Sequence, residues 1–252
     1  MPRIKESAYL LAAAVFITLV MAGCASVRPA NLPDLRPIED RVEGTRNGWW
    51  NVRFVVKWPQ DAEPSWHVDL LLAHKVISPV LYQYKDSIIL WRFHRRAIRD
   101  QSEHQFSFVF YSSAETANRI YDLIKSDVCL KEMKSAGVII EDRYDDTDWI
   151  SKADIEDTCD PKWSSPIRKS WPYFIMGVSQ MWLNLITDIS DQQASSGKRP
   201  QFLRGILAFY GEVNESVEKL WQKEGGHALL HHLNAMFGYE EVIIYEKRLM
   251  TF

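Results

Sequence analysis

The sequence predicts an α+β protein, in which a ferredoxin-like, split βαβ antiparallel sheet is followed by a mainly α-helical C-terminal part that packs on it. Apolar and polar residues alternate strictly over Trp49–Trp58, as they do in a half-buried strand. Across residues 49–142 the patterns follow in the order strand, helix, strand, strand, helix, strand. From residue 170 to residue 252, apolar residues recur mainly at helical spacing.

The first strand and the first helix occupy the beginning of the predicted sheet region. Arg53 lies on the polar face of the strand, and the apolar face carries Trp50, Val52, Phe54, Val56 and Trp58. A helix is predicted from about Trp66, with Ser65 as its N-cap, because serine is a favoured capping residue. Pro79 is expected to break this helix, since proline lacks the N–H donor and clashes with the preceding turn.

The stretch Ser87–Ser113 predicts two strands joined by a short polar loop at Ala97–Gln101. Because successive side chains of a strand point to opposite sides, the hairpin has one apolar and one polar face. The apolar face, which is expected to pack against helices, carries Trp91, Phe93, Phe106, Phe108 and Phe110. The polar face carries Arg92, His94, Arg96, Gln105, Ser107 and Tyr111.

A second helix and a fourth strand complete the predicted sheet region. Ser112–Glu115 fits the Ser-x-x-Glu capping box, so a helix is expected to follow it. Gly137 is expected to stop the helical stretch, and Val138–Ile140 predicts the last strand. Right-handed crossovers place both helices on one side of the sheet, which leaves the polar face for a ligand, a partner or the rest of the chain.

The remaining chain is predicted to be an acidic, solvated connector over residues 143–169 and a helical region over residues 170–252. A helix from about Trp171 to Asp188 is apolar nearly all round and is therefore expected to be buried. We expect the helical region and the sheet region to form one composite domain. The further elements predicted are a helix from Pro200 to Gly225–Gly226, a helix over His227–Phe237 and a strand over Val242–Tyr245.

Composition excludes some classes of function. The net charge of the 252 residues is −3, which gives no basic footprint for nucleic acid. Hydrophobic residues make up 46% of the chain, so wholesale disorder is also excluded. The sequence contains no Gly-rich phosphate loop and no common hydrolase motif, and we expect no cofactor.

The N-terminus has the pattern of a signal peptide over residues 1–23. Arg3 and Lys5 precede an apolar stretch, Ala8–Met21, that is too short to span a bilayer comfortably. The run Val20-Met21-Ala22-Gly23-Cys24 resembles the lipobox of bacterial lipoproteins, although Met21 stands where leucine is usual. The resemblance implies cleavage before Cys24 and lipidation of its thiol. An uncleaved membrane anchor and an ordinary signal peptide are the alternatives.

The resemblance also implies a location. In this family an aspartate after the lipidated cysteine favours retention in the inner membrane, and Ala25 stands there instead, which favours the outer membrane. We therefore expect a lipid-anchored protein of the Gram-negative cell envelope, with its domain facing the periplasm. Residues 24–48, with Pro29, Pro33 and Pro37, predict an extended tether, or alternatively an irregular arm packed on the domain.

The polar sheet face carries the densest set of candidate site residues. Arginine forks suit carboxylate or phosphate, and a histidine beside them can act as acid or base. The candidates for binding a small anion are Arg53, Arg92, His94, Arg96, Ser107 and Tyr111, with His94 as the catalytic candidate. The alternative is that carboxylates of the C-terminal region, such as Asp188, Glu212 or Glu215, pair with these arginines.

Cysteine and histidine residues give two further hypotheses. Once Cys24 carries its lipid, Cys129 and Cys159 remain, and an oxidising compartment favours a disulfide between them. The alternative is that Cys129 is a small buried hydrophobe. His227 and His231 are one helical turn apart and could begin a metal site, with Glu240 or Glu241 as the third ligand. Because no third ligand has a defined spacing, surface histidines are the favoured interpretation and no metal site is predicted.

Three functions remain open from the sequence. The first and favoured one is a non-enzymatic envelope lipoprotein that binds an envelope protein or a small anionic ligand through the sheet face. The second is an envelope enzyme that uses His94 as acid or base. The third is a structural lipoprotein whose sheet face is fully covered.

The lipobox resemblance yields a direct test. The Cys24→Ala variant should remain unprocessed and unacylated, because the thiol that receives the lipid is gone. Incorporation of labelled fatty acid and the electrophoretic mobility of the precursor measure both effects. Normal processing and labelling of the variant would show that Cys24 is not the lipidation site.

Overall fold

The centre of the protein is a four-stranded antiparallel sheet with the strand order β2-β3-β1-β4. The strands are β1 (Asn47–Val56), β2 (Leu90–Ala97), β3 (His104–Ser113) and β4 (Ile139–Tyr144). Helical segments connect β1 to β2 and β3 to β4, and β2 and β3 form a hairpin. This is the split βαβ arrangement, so the predicted α+β fold is confirmed.

The computed structural model describes residues 46–100, 103–195, 200–236 and 238. These residues belong to one compact unit that begins at Arg46. The signal peptide, Cys24 and nearly all of the predicted tether lie outside the described residues. So does the strand predicted over Val242–Tyr245. The first strand begins at Asn47, within the last residues assigned to the tether.

The sheet has an aromatic face that is buried against helices, as predicted. The register sets Trp50 opposite Phe110 and Phe54 opposite Phe106. The rings of Phe108 and Phe110 stack with centroids 4.9 Å apart. The aromatic residues assigned to this face are buried, except Trp58, which is only partly buried because β1 ends at Val56. This face is apolar because every second side chain of a strand points to the same side of the sheet, and on this side these side chains enter the core.

The first crossover is helical from Trp66 to Gln83. It consists of α1 (Trp66–Leu71), a π-helical stretch (Leu72–Ile77) and α2 (Ser78–Gln83). The prediction that Pro79 breaks the helix is wrong. Pro79 lies in the first turn of α2, where proline is tolerated best, and the helical path continues from the π-helical stretch into α2. The helix begins at Trp66 with Ser65 at the N-cap, as predicted, although the Ser65 side chain makes no capping hydrogen bond.

The second crossover contains α3 (Ala114–Ser126) and α4 (Val128–Ser135). The N-cap of α3 is Ser113 and not Ser112, since the Thr116 N–H donates to Ser113 Oγ at 3.2 Å. Gly137 adopts φ +66° after α4, a left-handed conformation that favours glycine, and it ends the helical stretch as predicted. The strand that follows is longer than the predicted Val138–Ile140.

The C-terminal region is mainly helical in its described part. It contains α5 (Ser165–Ser195), α6 (Leu203–Leu220), a π-helical stretch (Trp221–His231) and α7 (His232–Met236). The 31 residues of α5 extend well beyond the predicted helix at both ends. Gly225 and Gly226 do not end the next helix, because the chain continues through them with π-helical turns.

Helix α5 covers the free edge of β2 and enlarges the helix layer of the sheet. The Phe93 N–H of β2 donates to Ser179 Oγ at 3.1 Å, which satisfies a donor at an edge strand. On the same side Trp182 packs against Phe93, with ring centroids 5.5 Å apart. Only one stripe of α5 is buried: Pro172, Ser179, Leu183, Ile186 and Ser190. The prediction that this helix is buried nearly all round is therefore wrong.

The aromatic face makes a stability prediction. Phe108 is fully buried, and the Phe108→Ala variant should lose about 3–5 kcal/mol of unfolding free energy through lost contacts and the cavity left behind. Chemical denaturation measures the loss. Tyr82→Ala is the matched control, because Tyr82 is 81% exposed and its removal should change stability by less than about 0.5 kcal/mol. Equal effects at the two positions would contradict the assigned face.

Candidate functional site

The predicted site residues share the face of the sheet opposite the aromatic core. The register places Arg53, Ser107 and His94 in one row across β1, β3 and β2. Arg92 lies in the next row, opposite Val109. Tyr111 lies on the same face, at the end of the sheet where β1 begins. Sequence alternation therefore identified which side chains share this face.

The connector packs across one end of this face. The Trp49 N–H donates to the carbonyl of Lys152 at 2.9 Å, and the Trp49 indole N–H lies 3.0 Å from the carbonyl of Ile155. The Tyr111 hydroxyl donates to the carbonyl of Ala153 at 2.6 Å. The expectation of a fully solvated connector is therefore wrong for these residues. The carbonyls of this irregular segment are satisfied by donors from the sheet face.

Two of the candidate arginines are already paired. Arg53 Nη2 lies 2.9 Å from Asp145 Oδ1, and Arg96 Nη1 lies 3.1 Å from Asp100 Oδ1. The partners come from the connector and from the hairpin loop. Among the described ion pairs of these arginines, none involves Asp188, Glu212 or Glu215, the carboxylates suggested by the sequence.

Arg92 is different, because its guanidinium is largely buried without a carboxylate. Its Nη2 donates to the carbonyl of Thr158 at 3.2 Å, and its Nε has no acceptor. Within the described residues it forms no ion pair. Burial lowers the pKa of Arg92 below its usual range, and the nearby Cys159 opposes that shift. Arginine still remains charged at neutral pH, so a desolvated cation lies under the connector.

A polar cavity of about 230 Å³ lies beside Arg92. Asn51 Oδ1 is buried and has no hydrogen-bond partner. Two carboxylates also line the cavity: Asp145, which pairs with Arg53, and Asp157, which accepts a hydrogen bond from the backbone N–H of Asp154. The cavity is lined by Trp49, Trp50, Asn51, Arg92, Val109, Asp145, Lys152, Asp157, Thr158 and Cys159.

His94 faces a different space from Arg92. Partial desolvation of its ring and, next, the charges of Arg92 and Arg96 lower the pKa of His94 below 6.5, so it is neutral at pH 7. It lies on the wall of an apolar groove of about 390 Å³ that runs between β2, α5 and α6. His94 therefore adds no positive charge to the face at neutral pH, and it does not line the Arg92 cavity.

The opposite side of the sheet contains a charged cluster that the sequence-based prediction missed. Asp69 of α1 is completely buried, and its two carboxylate oxygens lie 2.9 Å from Arg95 Nε and 3.0 Å from His104 Nε2. The Arg95 guanidinium lies 4.9 Å from the ring centroids of both Trp66 and Trp182. The sequence did contain a signal for this cluster. Arg95 is two residues from Phe93 and His104 is two residues from Phe106, so both side chains are expected on the aromatic face of the sheet.

The predicted disulfide is absent, since Cys129 and Cys159 are both free. Cys159 lies by the Arg92 cavity, where its thiol donates to the carbonyl of Arg168 at 3.2 Å. Cys129 lies on the helix side, on the wall of a cavity that it shares with Lys75 and Tyr210. The two thiols are therefore on opposite sides of the sheet. Burial raises the pKa of both, so both are protonated at neutral pH.

The helix-side cavity is the largest of those described, at about 630 Å³, and its lining mixes apolar, acidic and basic side chains. Next to it, the Tyr210 hydroxyl lies 2.8 Å from His74 Nδ1. Burial lowers the pKa of His74 to about 4, so the ring is neutral and can accept this hydrogen bond. Residues 196–199 lie outside the described part of the chain.

The weak metal candidates do not converge on a site. The rings of His227 and His231 stack with centroids 5.0 Å apart. Over the ranges that the structure describes, no group of three or more histidine, cysteine, aspartate or glutamate residues could hold a metal ion.

Comparisons with protein-family models, with curated proteins and with solved structures found no match. Among the described helices, none is long and apolar enough to cross a membrane. The functional argument therefore rests on the residues and their geometry.

The Asp69 cluster yields a stability prediction. Asp69→Asn removes the counter-ion of Arg95, and an unpaired buried charge costs about 3–5 kcal/mol. Because the Arg95 side chain is 30% exposed, water relieves part of this cost, and we expect a loss of about 2–4 kcal/mol in chemical denaturation. Asp122→Asn, at an exposed position of α3, should change stability by less than about 0.5 kcal/mol.

A double-variant cycle separates the ion pair from general packing. If the Asp69–Arg95 contact causes the loss, Asp69→Asn in an Arg95→Met background should cost clearly less than in the native chain. The same cost in both backgrounds would assign the effect to His104 or to packing.

Proposed function

We propose that the chain is a lipid-anchored, non-enzymatic protein of the Gram-negative cell envelope that binds a small anionic ligand through Arg92. The lipobox-like run ending at Cys24 supports the anchor, and Ala25 favours the outer membrane, with the domain facing the periplasm. The observation that carries the binding function is the buried Arg92 guanidinium, which has a cavity beside it and no carboxylate partner among the described residues.

Desolvation explains why an anion would bind there. A buried charge is costly unless it is paired, and one carbonyl oxygen offsets only part of that cost. A carboxylate or phosphate oxygen in the cavity that Arg92 lines can accept from its guanidinium and restore part of what that group lost on burial. The negative charges of Asp145 and Asp157 oppose this, but Arg53 pairs with Asp145 and Lys152 lines the same cavity.

The cavity volume restricts the class of ligand. About 230 Å³ is below the range of roughly 300–1,000 Å³ that is usual for drug-sized ligands. A phosphate group or a small carboxylic acid is therefore the expected ligand. The enzyme alternative is less favoured, because His94, its proposed acid or base, lies on the wall of the apolar groove.

The test uses the full-length, lipidated chain in phosphatidylcholine vesicles, with inorganic phosphate and succinate as probes. Trp49 and Trp50 line the cavity, so their fluorescence should change on binding. The Arg92→Gln variant should bind at least about tenfold more weakly, since a hydrogen bond to a charged group is worth roughly 1.5–3 kcal/mol. Glutamine can still donate to the Thr158 carbonyl, so the connector should stay in place.

Arg143→Gln is the matched control. Arg143 is an exposed cation on the same sheet face, where it pairs with Glu141, and its loss should leave the affinity unchanged. An equal fall in both variants would show a general charge effect. If neither probe changes the fluorescence of the native chain, the purely structural function becomes the better account of Arg92.

A further inference from the structure

Helix α5 carries a second apolar stripe that the described residues bury only in part. Its members are separated by four, three, four, three and four residues, which is the spacing of a helix–helix seam. They are Ile167, Trp171, Phe174, Val178, Met181 and Leu185. Ile167 is 52% exposed and Phe174 is 42% exposed. No charged residue occurs in α5 between Lys169 and Asp188. The charged neighbours of the stripe come from other elements, since Arg95 and Glu218 line the groove beside its second half.

The two halves of the stripe have opposite shapes. Near the start of α5, the rings of Trp163, Trp171 and Phe174 form a projecting cluster, with centroids 5.0 and 5.4 Å apart. Further along, Val178, Met181 and Leu185 line the apolar groove of about 390 Å³. The far wall of that groove is formed by Val217 and Trp221. An apolar projection near the start of α5 is therefore followed along the same helix by an apolar groove.

A two-fold axis across the middle of the stripe would bring these shapes together. In an antiparallel pair of α5 helices with the axis between Phe174 and Val178, Phe174 lies against the partner's Val178. Trp171 lies against the partner's Met181 by the same symmetry. Each aromatic projection then enters the groove of the other copy, and the contact is made twice. Such self-complementarity is the property that an isologous two-fold interface requires.

We propose that the described face of α5 is a homodimer interface, in which the aromatic projection of each copy fills the apolar groove of the other. The exposed fractions of Trp163, Phe174 and Trp221 are between 37% and 46%. An aromatic side chain has a surface area of roughly 150–250 Å². At these exposed fractions, the three side chains together expose on the order of 250 Å² to solvent in each copy. Ile167 and the half-buried groove walls bring a pair of copies to about 1,000 Å², the area from which specific interfaces begin.

The absence of charged residues from α5 between Lys169 and Asp188 favours a second copy over the membrane surface. A helix that lies on anionic lipids presents lysine or arginine along its polar face, whereas α5 has none between Lys169 and Asp188. A recess also suits a projecting side chain better than a flat bilayer surface. The proposal does not depend on the Arg92 site, because none of the stripe residues lines the Arg92 cavity.

The first experiment compares adjacent residues of α5. The full-length chain in phosphatidylcholine vesicles is treated with an amine-reactive cross-linker, and dimers should form. Met181→Glu should weaken association at least about tenfold, because it would bury an unpaired carboxylate in the interface. Gln180→Glu adds the same charge at an exposed position off the stripe and should dimerise like the native chain. Circular dichroism confirms that both variants are folded.

The second experiment tests the antiparallel pairing. Copies carrying Phe174→Cys and copies carrying Val178→Cys are reconstituted together and oxidised mildly. Disulfide-linked heterodimers should exceed the homodimers of either variant, because position 174 faces position 178 across the axis. A mixture of Gln180→Cys and Val178→Cys copies should show no such excess.

Other occupants of this face give different results. One such occupant is the membrane. In that case native dimers do not form, brominated lipids quench the tryptophan fluorescence, and Phe174→Glu abolishes the quenching. The proposal then fails. If an apolar molecule co-purifies with the native chain and with Phe174→Glu but not with Met181→Glu, the groove is a ligand pocket and the proposal also fails. Dimers that survive both Met181→Glu and Phe174→Glu would place the interface elsewhere.

Discussion

The buried carboxylate of Asp69 fixes the position of the helix layer on the sheet. It comes from the first turn of α1 and meets Arg95 of β2 and His104 of β3, so one side chain ties the first crossover to two strands. A carboxylate with no exposure is tolerated only when its oxygens are satisfied, which restricts α1 to one placement. Trp66 and Trp182 enclose the Arg95 guanidinium, and Trp182 extends this constraint to α5.

The position of α5 in turn determines which two surfaces of the protein stay open: the polar face of the sheet and the apolar groove. Its contact with the edge of β2, through Ser179 and the Phe93 N–H, keeps the helix beside the sheet rather than over its polar face. The polar face is therefore left for the connector, whose carbonyls are held by Trp49 and Tyr111. On the other side, the same helix leaves an apolar stripe uncovered and forms the groove with α6. The Arg92 cavity and the proposed dimer interface both result from this position of α5.

Much of the candidate site could be predicted from sequence, and the rest failed for identifiable reasons. Alternation placed Arg53, Arg92 and His94 on one face correctly, because the strand period is fixed by backbone geometry. The partners of the arginines were not predictable, since Asp145 and Thr158 reach the sheet through an irregular segment. The disulfide between Cys129 and Cys159 failed because spacing along the chain does not show on which side of a sheet a residue lies.

The sequence by itself determined the α+β class, the order of the strands and the aromatic face, because hydrophobic period and local turn chemistry act over a few residues. It also determined where Gly137 ends a helical stretch. Only the tertiary structure decided that Pro79 and Gly225 lie inside continuous helical segments, since π-helical turns depend on the surrounding packing. It alone decided that the Arg92 guanidinium is largely buried without a carboxylate partner among the described residues, because desolvation of a side chain depends on segments distant in sequence.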